Sequence, residues 1–316
     1  MNLAYLRTDA DRAFGVGTAR VLAREVVGAA RDLGIAVATA RGGSRVRAPF
    51  WMARRVLGMA GTPLTGEELI PLRFATPRED ASIMVRRNQS DLLILWQIFL
   101  HRYYELNAVY DLDAVIGTLD TIVDLGGNTG QAAAYFTARY RPRLLLTVEP
   151  IAESRQVLYR NRSLSGMDWI VEDCAVSGAP GELEFAVSAF WDTCTAVPAV
   201  YELRRRRPWR LENSLARPPR TLPACTVAQL LDRNGLDHVD LLKVDVEGSE
   251  ADIFATPQPW MDTVDRIVLE VHDKYIDGDG VRSTMKQAGF HRIAPRRPDP
   301  AGFNPVELYW RDGLPE

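Results

Sequence analysis

The chain has 316 residues, 47% hydrophobic and 25% charged, with a formal net charge of −3. That balance is the one of an ordinary globular protein with volume for a sizeable core, and it excludes a disordered, collagen-like or disulfide-framework chain. The small negative charge excludes a whole-protein field that would draw the chain onto nucleic acid or a membrane surface. Only Lys243, Lys274 and Lys286 among the 38 basic residues are lysine, an arginine excess that reflects genome composition rather than chemistry. Cys174, Cys194 and Cys225 make an odd count without metal-ligand spacing, which reads as free thiols in a reducing compartment. Residues 1–40 show no basic start followed by an apolar core and a small-residue cleavage site. The longest apolar run, near Leu92–Leu100, is about half of what a membrane crossing needs. A cytoplasmic location with no membrane span is therefore expected.

Alanine, leucine and valine at helical spacing predict an amphipathic helix over 17–40, ending before Gly42-Gly43. Residues 41–70, rich in glycine and proline, read as loop plus a short helix. Leu72–Phe74 and Ser82–Val85 flank a polar turn with Pro77 and suggest a hairpin. Ser90 or Asp91 can cap a helix running to Ala108. From Thr121 the texture changes to alternating strands and helices: strand Ile122–Leu125, helix Gln131–Tyr140, strand Arg143–Val148, helix Glu153–Ser163 and strand Trp169–Val171. Strands Val239–Val246 and Arg266–Val271 follow, then helix Arg282–Ala288 and a closing pair, Phe290–Ile293 with Val306–Trp310. This alternation predicts an α/β fold, a mostly parallel central sheet with helices on both faces. The chain divides into a mainly helical extension over 1–70 and a domain over 71–316, the latter with a lead-in hairpin and helix over 71–120 and a core over 121–316.

The first core strand ends in Gly126-Gly127-Asn128-Thr129-Gly130. Glycines there permit a tight turn and close approach of a ligand to the backbone, but the pattern lacks the G-x-G-x-x-G dinucleotide fingerprint. Glu149, 19 residues after Gly130 at the next strand end, can accept hydrogen bonds from both hydroxyls of a ribose. Asp173, past the third strand, can accept from an adenine amino group, and Asp124 can face a ligand's amino group. The order suits an adenosine ligand without pyrophosphate, such as S-adenosylmethionine. The cofactor-binding candidates are Asp124, Gly126, Gly127, Asn128, Gly130, Glu149, Pro150, Asp173 and Cys174.

The most unusual stretch is Asp240-Leu241-Leu242-Lys243-Val244-Asp245-Val246-Glu247-Gly248-Ser249-Glu250. Alternation along a strand puts Lys243, Asp245 and Glu247 on one face; on the next strand Glu270 and His272 share a face. Central parallel strands normally read as apolar runs, and an unpaired buried charge costs several kcal/mol, roughly. These groups must therefore pair, bind a ligand or sit at the wet strand tips. Lys243 is expected to pair with Glu270, leaving Asp245 and His272 in front of the cofactor. His272 is the candidate base, oriented by Asp245 or Asp273. The same set, Asp245, Glu270 and His272, could instead ligate a divalent cation.

These motifs, Val123-Asp124-Leu125-Gly126-Gly127-Asn128-Thr129-Gly130-Gln131, Val148-Glu149-Pro150, the Asp240–Glu250 stretch and Leu269-Glu270-Val271-His272-Asp273, resemble the FkbM family of S-adenosylmethionine-dependent methyltransferases over residues 80–293. The resemblance implies a Rossmann-like class I methyltransferase fold. It also implies O-methylation of a sugar, glycan or secondary-metabolite hydroxyl, as in natural-product or polysaccharide biosynthesis. Asp124, Gly126, Asn128 and Glu149 would lie around the cofactor, with Tyr104 approaching its methionine end. Gly127 stands where alanine is commoner and Thr129 where isoleucine is commoner. The segment after His272 lacks the Gly-Cys pair of the glycan-linked branch, which weakens the glycan assignment more than methyl transfer.

Acceptor contacts are expected from the long connection between the third and fourth core strands: Phe190-Trp191-Asp192, and the arginine-rich Leu203–Arg220 with Trp209. A charge run of that kind is more often a solvated loop than a phosphate clamp. The expected partner is a small-molecule or glycan acceptor, not nucleic acid, and a homo-oligomer stays open. Two other readings are a nicotinamide-dependent oxidoreductase, disfavoured by the missing pyrophosphate turn, and a non-catalytic adenosylmethionine-binding scaffold subunit.

Overall fold

The computed structural model describes residues 18–60, 64–106, 119–187, 194–197, 218–294 and 306–314. The expected acceptor segments Phe190-Trp191-Asp192 and Leu203–Arg217 lie outside the described residues. Helices α1 (Thr18–Thr39) and α2 (Ser44–Ala60) come first, then the antiparallel hairpin β1 (Thr65–Ala75) and β2 (Asp80–Asn88). The second helix, 17 residues long, is longer than the short one expected within 41–70. Pro49 lies inside it, early enough to forfeit a single backbone hydrogen bond, and Ala48 and Met52 bury against the hairpin's apolar residues. The hairpin is longer than its apolar runs suggest. Ile70, Leu72 and Phe74 alternate into the core from β1, while Ala81, Ile83 and Val85 do so from β2.

Helix α3 (Gln89–Leu95) is capped by Asn88 rather than Ser90 or Asp91: the Asn88 side chain accepts from the Asp91 N–H. Asp91 instead receives Arg86, through its backbone N–H at 2.8 Å and its guanidinium at 2.9 Å, both side chains being buried. The helix passes into a π-turn at Trp96–Leu100 and stops at His101, short of Ala108. The wider turn puts Trp96 Nε1 and His101 Nε2 on the same Asp32 carboxylate of α1, at 2.6 and 3.0 Å.

The main sheet is built from β3 (Thr121–Leu125), β4 (Leu144–Val148), β5 (Ile170–Glu172), β9 (Leu241–Val244), β10 (Arg266–Glu270), β11 (Phe290–Ile293) and β12 (Val306–Arg311). Its order is β5-β4-β3-β9-β10-β12-β11, with β12 antiparallel to both neighbours and the other pairs parallel. Chain order reverses between β3 and β9, the position where open α/β sheets bind ligands beyond their carboxyl ends. Helices α4 (Gln131–Tyr140), α5 (Ala152–Ser165), α6 (Val227–Arg233), α7 (Glu250–Ile253) and α8 (Gly278–Gln287), with a 3-10 turn at Pro259–Thr263, accompany the sheet. A second sheet, β6 (Ala175–Val176), β8 (Arg220–Cys225) and β7 (Gly181–Phe185), lies in the long connection; its short strands carry no apolar run that marks them in the sequence.

Alternation on the parallel strands sorts two cores. Ile122, Leu145, Leu241 and Val268 join the cluster that also holds Phe74, Phe99, Tyr135 and Phe136. Val123, Leu146, Leu242 and Ile267 join the opposite one. Ala36 of α1, Ala40 just after it and Met52 of α2 belong to the first cluster, so both N-terminal helices share a core with the main sheet. No helix among the described residues is long and apolar enough to cross a membrane.

The Arg86–Asp91 pair ties the hairpin to α3. Asp91→Ala, which takes the buried carboxylate away from the Arg86 guanidinium while the more exposed Glu67 stays 3.8 Å off, is expected to lower unfolding free energy by about 3 kcal/mol, read as a reduced urea midpoint.

Candidate active site

The face of the sheet that carries Ile122, Leu145, Leu241 and Val268 turns polar two residues further along each strand, at Asp124, Thr147, Lys243 and Glu270. This change occurs at the carboxyl ends, where the sheet opens. In register, Lys243 lies opposite Asp124, which lies opposite Thr147. Lys243 Nζ is 3.0 Å from Asp124 Oδ1, and Thr147 Oγ1 donates to Asp124 Oδ2 at 3.1 Å. The ammonium also donates to the carbonyls of Leu125 and Gly126 at 3.3 and 2.8 Å. Burial presses this lysine toward neutrality, but Asp124 and then Asp245 outweigh it, so its pKa lies above the ordinary value.

Two expectations are corrected by these contacts. Lys243 does not pair with Glu270, because the β9–β10 register sets Lys243 against Val268 and leaves Glu270 nearer the tip. Asp124 does not present an open carboxylate to a ligand amino group: it is fully buried beneath the turn, holding Lys243.

Above this pair the glycine turn folds back on β4. The N–H groups of Gly126 and Gly127 both donate to Val148 O, at 3.1 and 2.8 Å. Gly126 and Gly130 take positive φ of 82° and 75°, and Asn128 takes 45°. A Cβ on Gly126 would fall 1.9 Å from Asp245 O, and one on Gly127 2.0 Å from Thr147 Oγ1, so these glycines permit close approach of β9 and β4 to the turn. Glu149 follows β4 with its side chain turned to the same loop: Oε2 accepts from Asn128 N at 2.9 Å and Oε1 from Ile151 N at 2.7 Å. Burial raises its carboxyl to about 7 against these backbone donors. Each oxygen retains accepting capacity, and the buried Asn128 Oδ1 has no hydrogen-bond partner. Pro150 leads into α5, whose Arg155 donates to Glu149 O at 2.7 Å.

The other cofactor candidates are placed less directly. Asp173 is 76% exposed at its side chain, 3.8 Å from Arg155. Cys174 turns its side chain to Cys225, with Sγ atoms 3.0 Å apart. Tyr104 is buried with its ring 5.2 Å from Phe136.

The acidic end is more crowded than its sequence suggests. The strand stops at Val244, and the chain turns through Glu247, at φ 53°, and Gly248 into α7. The turn returns Glu250 to the site, where Oε1 accepts from Val246 N at 3.0 Å and meets His272 Nδ1 at 3.1 Å. Glu250, not Asp245 or Asp273, orients the imidazole. Asp273 is held by Arg282 at 2.7 and 2.8 Å, which lowers its pKa. The sequence reading missed Glu250 because it extended the strand two residues beyond its end. His272 Nε2 points toward Glu247 and Glu270, 3.7 and 3.9 Å away. Donor atoms of Asp245, Glu270 and His272 all lie within 4.8 Å of one another.

Burial opposes the imidazolium, yet the charge of Glu247 and the hydrogen bonds to Glu247 and Glu250 raise the His272 pKa well above its ordinary value. Burial, with Asp245 adding repulsion, raises Glu270 to about 8. Burial also raises Asp245, against the opposing pull of Lys243 and His272. The shifts thus favour the protonated imidazole beside two carboxyls whose ionised forms burial disfavours.

Lys243→Met is expected to destabilise the fold by about 3–5 kcal/mol, since it strands Asp124. Combining it with Asp124→Leu should recover much of that loss. Additive losses in thermal or urea unfolding would show that the two groups do not act as a pair.

The family model described as Methyltransferase FkbM domain matches residues 124–292, more than half of the 316 residues. Methyltransferase 1 of Beauveria bassiana is 25% identical over 210 residues, 64% of this chain and 83% of that protein. AMB antimetabolite synthetase AmbE of Pseudomonas aeruginosa is 24% identical over 223 residues, 61% of this chain but 10% of that much longer protein. Among solved structures, methyltransferase FkbM of Methylobacillus flagellatus KT aligns with a TM-score of 0.38 at 14% identity, covering 69% of this chain and 53% of that one. Aeropyrum pernix fibrillarin, solved with natively bound S-adenosyl-L-methionine, aligns with a TM-score of 0.38 at 13% identity over 66% of this chain and 74% of that one. The chain thus spans about half of the Methylobacillus protein. With the matched segment running from Asp124 through the glycine turn to the cluster around His272, the chain belongs to the FkbM methyltransferase family.

Proposed function

We propose that this methyltransferase is S-adenosylmethionine-dependent and transfers the methyl group to a hydroxyl oxygen of a sugar, glycan or secondary metabolite. The observation that carries this reading is the position of Asp245. Its backbone packs against Gly126 of the glycine turn, while its carboxylate belongs to the cluster with Glu270 and His272. One residue thus joins a nucleoside-binding end to a proton-handling end.

The residues fit the cofactor. Glu149 keeps two carboxylate oxygens for ribose hydroxyls, Asn128 Oδ1 is a buried acceptor without a partner, and Asp173 stands at the end of β5 for the adenine side. Bound adenosylmethionine supplies an electrophilic methyl carried on a sulfonium. The chain's own task is to aim a hydroxyl at that methyl and accept its proton. In-line positioning provides much of the acceleration, and a positioned base adds about 10²–10⁴-fold. Glu270, held by its burial and by Asp245 near the operating pH, takes that proton on a carboxylate oxygen. His272, clamped by Glu250, keeps its own proton and favours the ionised form of its acidic neighbours.

The same donors admit a second arrangement, a divalent-cation site, favoured by the convergence of two carboxylates and an imidazole nitrogen within 4.8 Å. Turnover abolished by EDTA and restored by Mn²⁺ would assign the cluster to a cation; turnover indifferent to EDTA assigns it to proton transfer.

Cofactor binding should release a proton from Glu149, because ribose hydroxyls donate to its ionised form. Affinity is expected to rise about tenfold per pH unit below pH 7 and to level off above it. Glu149→Gln should weaken binding and abolish that slope in calorimetry; an unchanged slope would remove Glu149 from the ribose.

With labelled cofactor and an accepted substrate, kcat should rise through a limb near pH 8, set by the Glu270 carboxyl raised to about 8. His272→Gln removes the cation that favours ionised Glu270 and should move the limb to higher pH. Glu270→Gln should lower kcat by about 10²–10⁴-fold and erase the limb, with cofactor affinity retained. A limb that persists in Glu270→Gln places the base elsewhere.

A further inference from the structure

Methyl transfer leaves a pair of buried thiols unused. Cys174 follows Glu172 and Asp173 where the chain leaves β5 for the small sheet, and Cys225 ends β8 just before the Thr226 cap of α6. Parallel pairing of Ala175 with Ala224 and of Val176 with Cys225 brings them together. Their Sγ atoms are 3.0 Å apart, and the residues are 6% and 4% exposed. Arg233, at the end of α6, reaches across both sulfurs, its Nη2 3.2 Å from Cys174 Sγ and 3.6 Å from Cys225 Sγ. The same guanidinium donates to both oxygens of Glu172, at 3.1 and 2.8 Å, and Asn234 adds a hydrogen bond to that carboxylate at 2.7 Å. The Arg233 side chain is 40% exposed, so the cation borders solvent while the sulfurs lie beneath it.

This environment separates the two thiols. The hydrogen bond from Cys225 and then Arg233 hold the Cys174 thiol down to about 7, while the same hydrogen bond and burial push Cys225 up. The attacking form of cysteine is the thiolate, and its neighbour keeps the proton in contact with it.

We propose that Cys174 and Cys225 are a redox-active dithiol, with Cys174 attacking a hydroperoxide and Cys225 resolving the product into a disulfide that ties the end of β5 to β8. The Cys174 thiolate attacks one peroxide oxygen and breaks the O–O bond, giving a sulfenic acid and hydroxide. Cys225 gives its proton to that hydroxide, forming water. Its sulfur then displaces hydroxide from the sulfenic acid: sulfur is oxidised, peroxide is reduced, and the products are one disulfide, one water and one hydroxide. Closure would constrain the chain next to Asp173. This consequence for the cofactor rests on the adenosylmethionine reading; the disulfide itself does not.

The full-length protein treated with hydrogen peroxide should lose the mass of two hydrogens. Peptide mapping should join Cys174 to Cys225, with Cys194 still open to alkylation after denaturation. In Cys225→Ser, Cys174 should accumulate as a sulfenic acid that dimedone traps. In Arg233→Met, oxidation at pH 7 should slow by about fivefold and the alkylation midpoint of Cys174 should move to higher pH. Calorimetry should show cofactor affinity changed several-fold by peroxide in the native chain but not in Cys225→Ser. Recovery of both thiols under peroxide that fully oxidises free glutathione in the same tube, or a disulfide that includes Cys194, overturns the proposal. A Cys174–Cys225 disulfide with unaltered cofactor affinity overturns only the link to the cofactor end.

Discussion

At the point where the strand order reverses, one ion pair joins the two strands that diverge there. Lys243 on β9 and Asp124 on β3 face each other in register, and both are buried. Neither charge could stay there alone, because desolvation of an isolated ion costs several kcal/mol, roughly. Together they are compensated by Thr147 on one side and by the carbonyls of Leu125 and Gly126 on the other. Those carbonyls end β3 and begin the glycine turn. A lysine thus serves as the capping donor of the glycine turn, and the ion pair and the turn form one electrostatic unit.

Charge accumulates outward from that pair. Asp245, Glu247, Glu250 and Glu270 gather around His272, which makes ion-pair contacts with Glu247, Glu250 and Glu270. Negative charge in excess of the available cations shifts the whole cluster toward holding protons, so burial and mutual repulsion raise Glu270 and the neighbouring carboxylates raise His272. Across the crevice Glu149 is also raised by burial, but in isolation from the cluster and against two backbone donors. Two acidic environments with raised carboxyls thus stand on either side of a single turn.

The helices and hairpin that precede the core take part in shaping this end. Asn161 on α5 accepts from Met84 N at 2.6 Å and donates to Met84 O at 3.0 Å and Thr129 O at 2.7 Å. One buried amide therefore ties the hairpin to the glycine turn. Gln131 at the start of α4 donates to Asp91 O at 3.1 Å, and Asp91 in turn holds Arg86. The hairpin, α3 and the first core helix are coupled through polar groups whose loss leaves buried donors or acceptors unpaired.

Amino-acid order alone determined the local and periodic features. These were the alternation that made β3, β4, β9 and β10, the glycines that a tight turn requires, Glu149 at the following strand end, and the clustering of charge on two neighbouring strands. Each depends on residues close together in the chain. Tertiary structure decided which charges meet. Register put Lys243 on Asp124 instead of Glu270, a one-turn reversal brought Glu250 to His272, and the pairing of β6 with β8 set Cys174 against Cys225 from 51 positions away. Helix α2 likewise formed despite Pro49, because its apolar residues had a hairpin to cover. Contact between distant segments depends on strand order, register and where a strand stops, and periodicity within a single segment carries none of these.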